Sequence, residues 1–336
     1  MFAKGLTASR VGLNVKRIIA IFLVPLLAPA TTLCGCAHTH NTKEADSKIS
    51  VVCTIFPQYD WVRQILGDKA GDMDVTLLMS NSIDLHNYQP SVDDFIKITD
   101  CDLFIYVGGE SDGWVDDALK QAANQNLVVI NLLDTLGAAA KIEERDNDNS
   151  SGLESEYDEH VWLSLRNAKI FCAAIAEALS SLDADNAGTY KNNLAAYAAK
   201  LSALDSEYQT AINAAPVRTL LFGDRFPFRY LADDYGLDCF AAFAGCSAET
   251  EASFETIIFL TGKVDELGLK NIMVTESSDK EIAETIIRES KGSNQQILVM
   301  DAMQSVASSD IANGATYLSI MEGNLGVLKV ALGSVH

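Results

Sequence analysis

Histidine and positive charge are both scarce in this sequence. The 336 residues include five histidines, and 25 lysines and arginines stand against 46 aspartates and glutamates, a formal net charge of −21 at pH 7. A chain this acidic would repel phosphate groups, so we do not expect it to bind nucleic acid. The hydrophobic content of 48% is that of a globular protein, and the length suggests two domains, each with its own core.

Signatures of common enzyme and cofactor sites are also missing. No HExxH, GxSxG, P-loop or GxGxxG motif stands in a suitable context, and there is no CxxC pair. Beyond the N-terminal region the cysteines are odd in number, which argues against a disulfide framework. Two of them lie in apolar runs and read as core residues, while Cys239 and Cys246 are close enough in sequence for a disulfide to remain an alternative.

The N-terminal region has the pattern of a targeting segment. Residues 1–17 carry cations and no acid, and residues 18–30 form an apolar run too short to span a bilayer, which is typical of a signal peptide. The segment Leu33-Cys34-Gly35-Cys36 that follows resembles the bacterial lipobox, with Cys34 as a mild departure. This resemblance implies cleavage of residues 1–35, lipidation of Cys36 and anchoring to the outer face of the cytoplasmic membrane; an unlipidated cleaved signal is the alternative.

Residues 36–49 are polar and predict a flexible tether. His38 and His40 lie there, where simple solvation is the more common role than metal capture. Residues 141–159 are acidic and predict a surface loop. Its carboxylates either concentrate cations weakly or form an ordinary solvated run of charge.

The body of the chain alternates apolar runs with helical stretches, the pattern of a parallel sheet covered by helices. We predict strands at 50–55, 75–79, 103–107, 127–130, 219–222, 239–243, 272–274 and 297–300. Between the two groups, residues 189–215 contain neither glycine nor proline and carry one apolar stripe at helical spacing. The prediction is an α/β protein with an N-terminal lobe (50–182), a long linking helix (183–215) and a C-terminal lobe (216–336).

Two histidines stand at junctions of loops with regular elements. His86 lies in Ser82-Ile83-Asp84-Leu85-His86-Asn87-Tyr88, after the second predicted strand, and His160 follows the acidic loop in Asp158-Glu159-His160-Val161-Trp162. Ligands of α/β folds bind at the carboxyl ends of strands. One isolated histidine is more often structural, but two at such junctions, with none elsewhere between residues 41 and 335, indicate a shared site.

The sequence resembles the metal-binding lipoproteins of bacterial ABC importers for zinc, manganese or iron (cluster A-I solute-binding proteins). The segment 158–164 resembles the family's D-P-H-x-W-L-S most closely, and 84–90 resembles D-P-H-x-Y-E-P with Leu85 and Gln89 as departures. The segments 54–60 and 249–253 resemble its opening strand and its E-x-E-P-S motif. The family implies two α/β lobes bridged by a rigid helix, one metal ion between them, and delivery to a permease.

The resemblance implies His86 and His160 as metal ligands, with Asp301 as a carboxylate ligand from the second lobe. At the third position the family has a ligand in H-x-A-F-x-Y-F, whereas this chain has Arg225 there and Asp224 beside it. A guanidinium has no free lone pair for a cation. Either Asp224 binds the metal or the site lacks that ligand, and Arg225 would then pair with Glu276 in the cleft, which Tyr88 also borders.

Two imidazoles and one or two carboxylates suit zinc, manganese or ferrous iron, and fewer than three histidines shift the expectation toward the last two. We therefore expect a monomeric, non-enzymatic binding protein that closes only slightly on its metal. Two alternatives remain: a solute-binding protein or adhesin of the same fold with a changed or lost metal site, for which Arg225 is the argument, and a metallohydrolase using Glu276 as general base.

Overall fold

The computed structural model describes residues 48–81, 83–143, 157–245 and 252–334. The predicted signal peptide, Cys36, His38, His40, Cys246, the motif at 249–251 and most of the acidic loop lie outside these ranges. Within them, no helix is long and apolar enough to cross a membrane.

The first lobe is a parallel sheet with helices on its faces. Its four strands are hydrogen-bonded in the order β2-β1-β3-β4, with every pair parallel. β1 and β3 are mostly apolar and largely buried, as expected for strands covered on both faces. The elements are β1 (Ile49–Cys53), α1 (Phe56–Leu66), β2 (Met73–Leu77), α2 (Val92–Asp100), β3 (Leu103–Tyr106), α3 (Val115–Leu119), β4 (Val128–Asn131), α4 (Leu132–Leu136) and α5 (Leu165–Leu182).

The second lobe repeats this plan. Its strands are also parallel, in the order β6-β5-β7-β8, and a register shift between Phe222 and Arg225 interrupts the pairing of β5 with β6. The elements are β5 (Thr219–Phe226), α7 (Arg229–Tyr235), β6 (Asp238–Ala244), α8 (Phe254–Leu267), β7 (Asn271–Thr275), α9 (Glu281–Glu289), β8 (Gln296–Met300), α10 (Ser308–Ala312) and α11 (Tyr317–Ala331).

One helix of 28 residues, α6 (Ala187–Ala214), links the lobes. At about 1.5 Å per residue it is roughly 40 Å long. Its predicted stripe is the buried face, which includes Tyr190, Tyr197, Leu201, Leu204, Tyr208 and Ile212. The predicted fold class, two parallel-sheet lobes joined by a long helix, is therefore confirmed.

A single apolar core runs from the first lobe through α6 into the second, and a smaller one lies between α8, α9 and the second sheet. Buried hydrogen bonds also cross between the lobes. Tyr317 in α11 donates its hydroxyl to the Trp162 carbonyl over 2.7 Å and its backbone N–H to Asp60 over 3.0 Å. Since interiors are close-packed and transmit strain, this shared core favours small local movements over wide hinge opening.

The cysteines that the structure describes, Cys53, Cys101, Cys172 and Cys239, form no disulfide with one another. Cys246 lies outside the described residues, and so does the alternative of a Cys239–Cys246 disulfide. Burial raises the pKa of the Cys239 thiol to about 12, so this side chain behaves as a small apolar residue.

Candidate metal site

His86 is oriented by a local turn at the carboxyl end of the first sheet. The Asp84 carboxylate accepts the backbone N–H of His86 over 3.0 Å and caps the single 3-10 turn Leu85–Asn87. This is the usual way in which an aspartate folds the two residues after it into a turn. The turn places the imidazole, which remains 23% exposed, at the strand ends where the fold class predicts a ligand.

His160 is oriented by the same device. The Asp158 carboxylate accepts the backbone N–H of His160 and also contacts the ring Nδ1, both over 2.9 Å. His160 is 1% exposed and Asp158 is 2% exposed. A carboxylate on Nδ1 favours the tautomer with the proton on that nitrogen and the lone pair on Nε2.

The two imidazoles converge through their Nε2 atoms. The Nε2–Nε2 distance is 3.3 Å, and the ring centroids are 5.3 Å apart. Two nitrogens bound to one tetrahedral zinc ion at 2.0–2.1 Å would be separated by roughly 3.4 Å. The rings are therefore already spaced as two neighbouring ligands of a single ion.

The outward side of His86 is also held by polar groups. Its Nδ1 lies 2.9 Å from Ser111 Oγ and 3.6 Å from Glu159 Oε2. Glu159 in turn accepts the Ser111 backbone N–H over 2.8 Å. Gly109, at φ +84°, makes room for this carboxylate, because a Cβ there would lie 2.3 Å from Glu159 Oε1. Such outer contacts set the tautomer and the aim of a ligand imidazole.

The second lobe reaches the pair through Gln304, in the loop after β8. Its amide Nε2 lies 3.0 Å from His160 Nε2 and 3.5 Å from His86 Nε2. Sequence reasoning missed this residue, because glutamine is an uncommon metal ligand and belongs to none of the motifs that indicated the site. The signal in the sequence is its position, three residues after Asp301, the carboxylate ligand that the resemblance implies.

Glu276 holds the loop that carries Gln304. Its carboxylate accepts the Ala302 and Gln304 backbone N–H groups over 2.8 Å and 3.1 Å. Burial, and secondarily the neighbouring Asp301, raise the pKa of Glu276. The alternative pairing of Arg225 with Glu276 is not among the observed ion pairs of the described residues. Arg225 stands in β5 opposite Phe243, and the Glu276 carboxylate accepts hydrogen bonds from the loop backbone.

The structure does not bring Asp224 to the imidazoles. One of its oxygens accepts both the backbone N–H and the hydroxyl of Thr275, over 2.9 Å and 2.6 Å, and the other accepts the Arg225 N–H over 2.8 Å. Asp224 therefore ties the end of β5 to β7. The β5 register shift lies at this place, which is why counting along the sequence did not reveal its orientation.

Asp301 and Tyr88 also have partners away from the two rings. Asp301 accepts the Met303 N–H over 2.7 Å, and burial raises its pKa. Tyr88 is 8% exposed and packs edge-on against Trp114, 5.9 Å between centroids. Within the described ranges, no group of three His, Cys, Asp or Glu side chains could hold a metal ion. The structure brings His86 and His160 together, and Gln304 approaches them from the second lobe.

Carboxylates surround His86, His160 and Gln304. Asp84 Oδ1 lies 4.0 Å from His86 Nε2, and Glu159 and Asp158 contact the outer nitrogens. Further out, burial, together with the charge of Glu159, raises the pKa of Asp112 to about 7. A buried divalent cation needs nearby negative charge, and Asp84, Asp158 and Glu159 place carboxylates around the two rings.

The outer hydrogen bond of His160 gives a testable expectation. Asp158→Asn keeps the shape of the side chain but removes the charge that fixes the Nδ1 proton, so zinc affinity should fall by about 10- to 100-fold. Isothermal titration would measure this. Asp117→Asn, on the exposed surface, is the matched control and should bind zinc like the wild type; an unchanged affinity in Asp158→Asn would contradict the role given to this carboxylate.

The two lobes, the long linking helix and the imidazole pair at the strand ends are the plan of a two-lobed solute-binding protein. Residues 51–331 match the family described as "ZnuA: Zinc-uptake complex component A periplasmic". The chain belongs to this family. That membership confirms the predicted resemblance and the prediction of a binding protein rather than an enzyme, and the metallohydrolase alternative loses its support.

Individual relatives agree in sequence and in fold. The chain is 31% identical over 93% of its length to the zinc-binding lipoprotein AdcA of Streptococcus pneumoniae, of which it spans 60%. It is 29% identical to the high-affinity zinc uptake system protein ZnuA of Bacillus subtilis, over 94% of this chain and 98% of that one. The crystal structure of the Zn(II)-bound ZnuA-like domain of S. pneumoniae AdcA superposes with a TM-score of 0.67 at 29% identity, covering 85% of this chain and 99% of that one.

Proposed function

We propose that this protein captures one divalent transition metal ion, zinc in the first place, and delivers it to the permease of an ABC importer. The observation that carries the proposal is the pair of imidazole Nε2 atoms 3.3 Å apart, each ring with its Nδ1 held by an oxygen. Both imidazoles turn their Nε2 atoms toward each other at the spacing that two neighbouring ligands of a single cation need.

The choice of metal rests on two arguments that point in different directions. A site with only two histidines is harder than an all-histidine site, which favours manganese or iron. Against this, the Nε2 separation suits the edge of a zinc tetrahedron, and the relatives are named for zinc. We give more weight to the second argument, because it combines the Nε2–Nε2 distance with the zinc named for the related proteins.

The proposed location follows from the N-terminal pattern. Removal of residues 1–35 and lipidation of Cys36 would leave the two lobes on a tether outside the cytoplasmic membrane, as the lipoprotein name of the pneumococcal relative also suggests. A membrane-anchored monomer with its site between two lobes would present the ion to a permease in the same membrane.

Metal competition on the purified mature protein tests this proposal. The chain is stripped with a chelator and offered equal concentrations of zinc, manganese and ferrous iron under anaerobic conditions, and the retained metal is measured by mass spectrometry. We expect about one zinc ion per chain. Retention of manganese or iron instead would overturn the choice of metal, and retention of none would overturn the function.

A further inference from the structure

The two ends of the acidic loop meet directly before His160. The Asp158 N–H donates to the Lys141 carbonyl over 2.8 Å, and Ile142 and Tyr157 form an antiparallel bridge; we call these four residues the loop base. Asp158 therefore takes part in two arrangements. Its backbone closes the loop base, while its carboxylate accepts the His160 N–H and contacts the ring Nδ1.

Tyr230 bonds both sides of the loop base from the second lobe. It stands in the first turn of α7, and its hydroxyl accepts the Lys141 backbone N–H over 2.8 Å and donates to the Asp158 carbonyl over 3.1 Å. The side chain is 2% exposed, and burial raises the pKa of its phenol to about 12, so the hydroxyl keeps the proton that it donates. A hydroxyl suits this place because one atom both accepts and donates.

Two further contacts join α7 to the loop base, both at the surface. Arg229 donates to the Ile142 carbonyl, and Lys141 pairs with Asp233, whose side chain is 48% exposed. Exposed ion pairs contribute about 0–1 kcal/mol, whereas a buried hydroxyl whose removal leaves a donor and an acceptor unpaired contributes more. Tyr230 therefore contributes most to holding the loop base on the second lobe.

The same helix holds the far end of the segment 158–164. Asp234 in α7 accepts the hydroxyl of Ser164, the residue that caps α5. α7 thus contacts this segment both before and after His160. The position of His160 relative to His86 therefore depends on a helix of the opposite lobe.

Resting on the function proposed above, we infer that Tyr230 is a positioning residue for His160. By joining both sides of the loop base to α7, its hydroxyl holds Asp158 in the turn that directs His160 Nε2 toward His86. A binding site works only while its groups stay within about 0.5 Å of the productive geometry. Loss of this hydroxyl should loosen the turn and weaken the grip on the ion without removing any ligand.

Zinc titrations of Tyr230→Phe and the wild type test the inference. Tyr230→Phe keeps the ring and removes only the hydroxyl, so zinc affinity should fall by about 10-fold, the lower end of the loss expected for an outer-shell partner. Tyr208→Phe is the matched control, because its buried hydroxyl donates to the Met321 carbonyl over 2.6 Å between α6 and α11. It should lose stability to a similar extent and bind zinc like the wild type.

A double variant separates positioning from a general effect on stability. In an Asp158→Ala background the carboxylate that orients His160 is gone, so Tyr230→Phe should change zinc affinity there by less than about 2-fold. With cobalt(II) in place of zinc, Tyr230→Phe alone should shift the visible absorption bands of the bound ion, because the orientation of one imidazole changes, and Tyr208→Phe should leave them unshifted.

Three results would overturn the inference while the proposed function stands: wild-type zinc affinity in Tyr230→Phe, unshifted cobalt bands in that variant, or the same loss of affinity in both backgrounds. If the wild type itself binds no zinc, manganese or iron, the proposed function fails and the inference fails with it.

Discussion

Replacing His86 and His160 together by alanine should abolish stoichiometric zinc binding. Each imidazole supplies one of the two described nitrogens that converge at 3.3 Å. Loss of an outer-shell partner alone costs about 10- to 100-fold in affinity, so loss of one direct ligand should cost more than about 100-fold and loss of both should leave no measurable site. Metal content after equilibration with zinc and dialysis measures the effect.

Glutamine variants at the same positions control for folding. His86→Gln and His160→Gln fill most of the imidazole volume and retain a polar tip, so they should unfold close to the wild-type temperature while losing the metal. Both single alanine variants should also lose zinc, because neither ring can grip the ion alone. A double alanine variant that still retains one tightly bound zinc ion would show that the site lies elsewhere in the chain.

Trp162→Ala should have the largest effect on stability. The indole is 1% exposed, packs against His160 with ring centroids 5.3 Å apart, and donates to Ala302 of the second lobe. Truncation of a buried tryptophan costs about 3–5 kcal/mol, and here it also removes a bond between the lobes. Urea unfolding, followed by fluorescence and circular dichroism, would measure the loss.

Trp162→Phe separates packing from the hydrogen bond. It keeps a large ring but leaves the Ala302 carbonyl without its donor, so the expected loss is smaller, about 1–3 kcal/mol. Because one core continues through both lobes, each variant should unfold in a single cooperative transition. Two separated transitions, or a Trp162→Ala protein within about 1 kcal/mol of the wild type, would contradict the shared core.

The fold followed from the sequence because its signals are local and repeated. Each apolar run between helical stretches became a parallel strand, and the stripe of Tyr190, Tyr197 and Tyr208 became the buried face of α6. The two histidine loops were predictable for the same reason. In both, an aspartate two residues before the histidine folds the backbone, and this Asp-x-His pattern is visible in the sequence.

The contribution of the second lobe could not be predicted in the same way, because it depends on tertiary contacts. Asp224 has the chemistry of a ligand, but Thr275 on the neighbouring strand takes its carboxylate. Gln304 has no motif and reaches the rings because Glu276 shapes its loop from another strand end. Neither contact can be inferred from residue type or from spacing along the chain.

The most direct test of the account is zinc X-ray absorption on the wild-type protein. The fine structure should show two imidazole nitrogens at about 2.0–2.1 Å, with the multiple scattering typical of histidine, and both histidine contributions should disappear in His86→Ala/His160→Ala. A zinc ion with no imidazole in its first shell, or the same spectrum in the wild type and the double variant, would contradict the central claim that these two rings hold the metal.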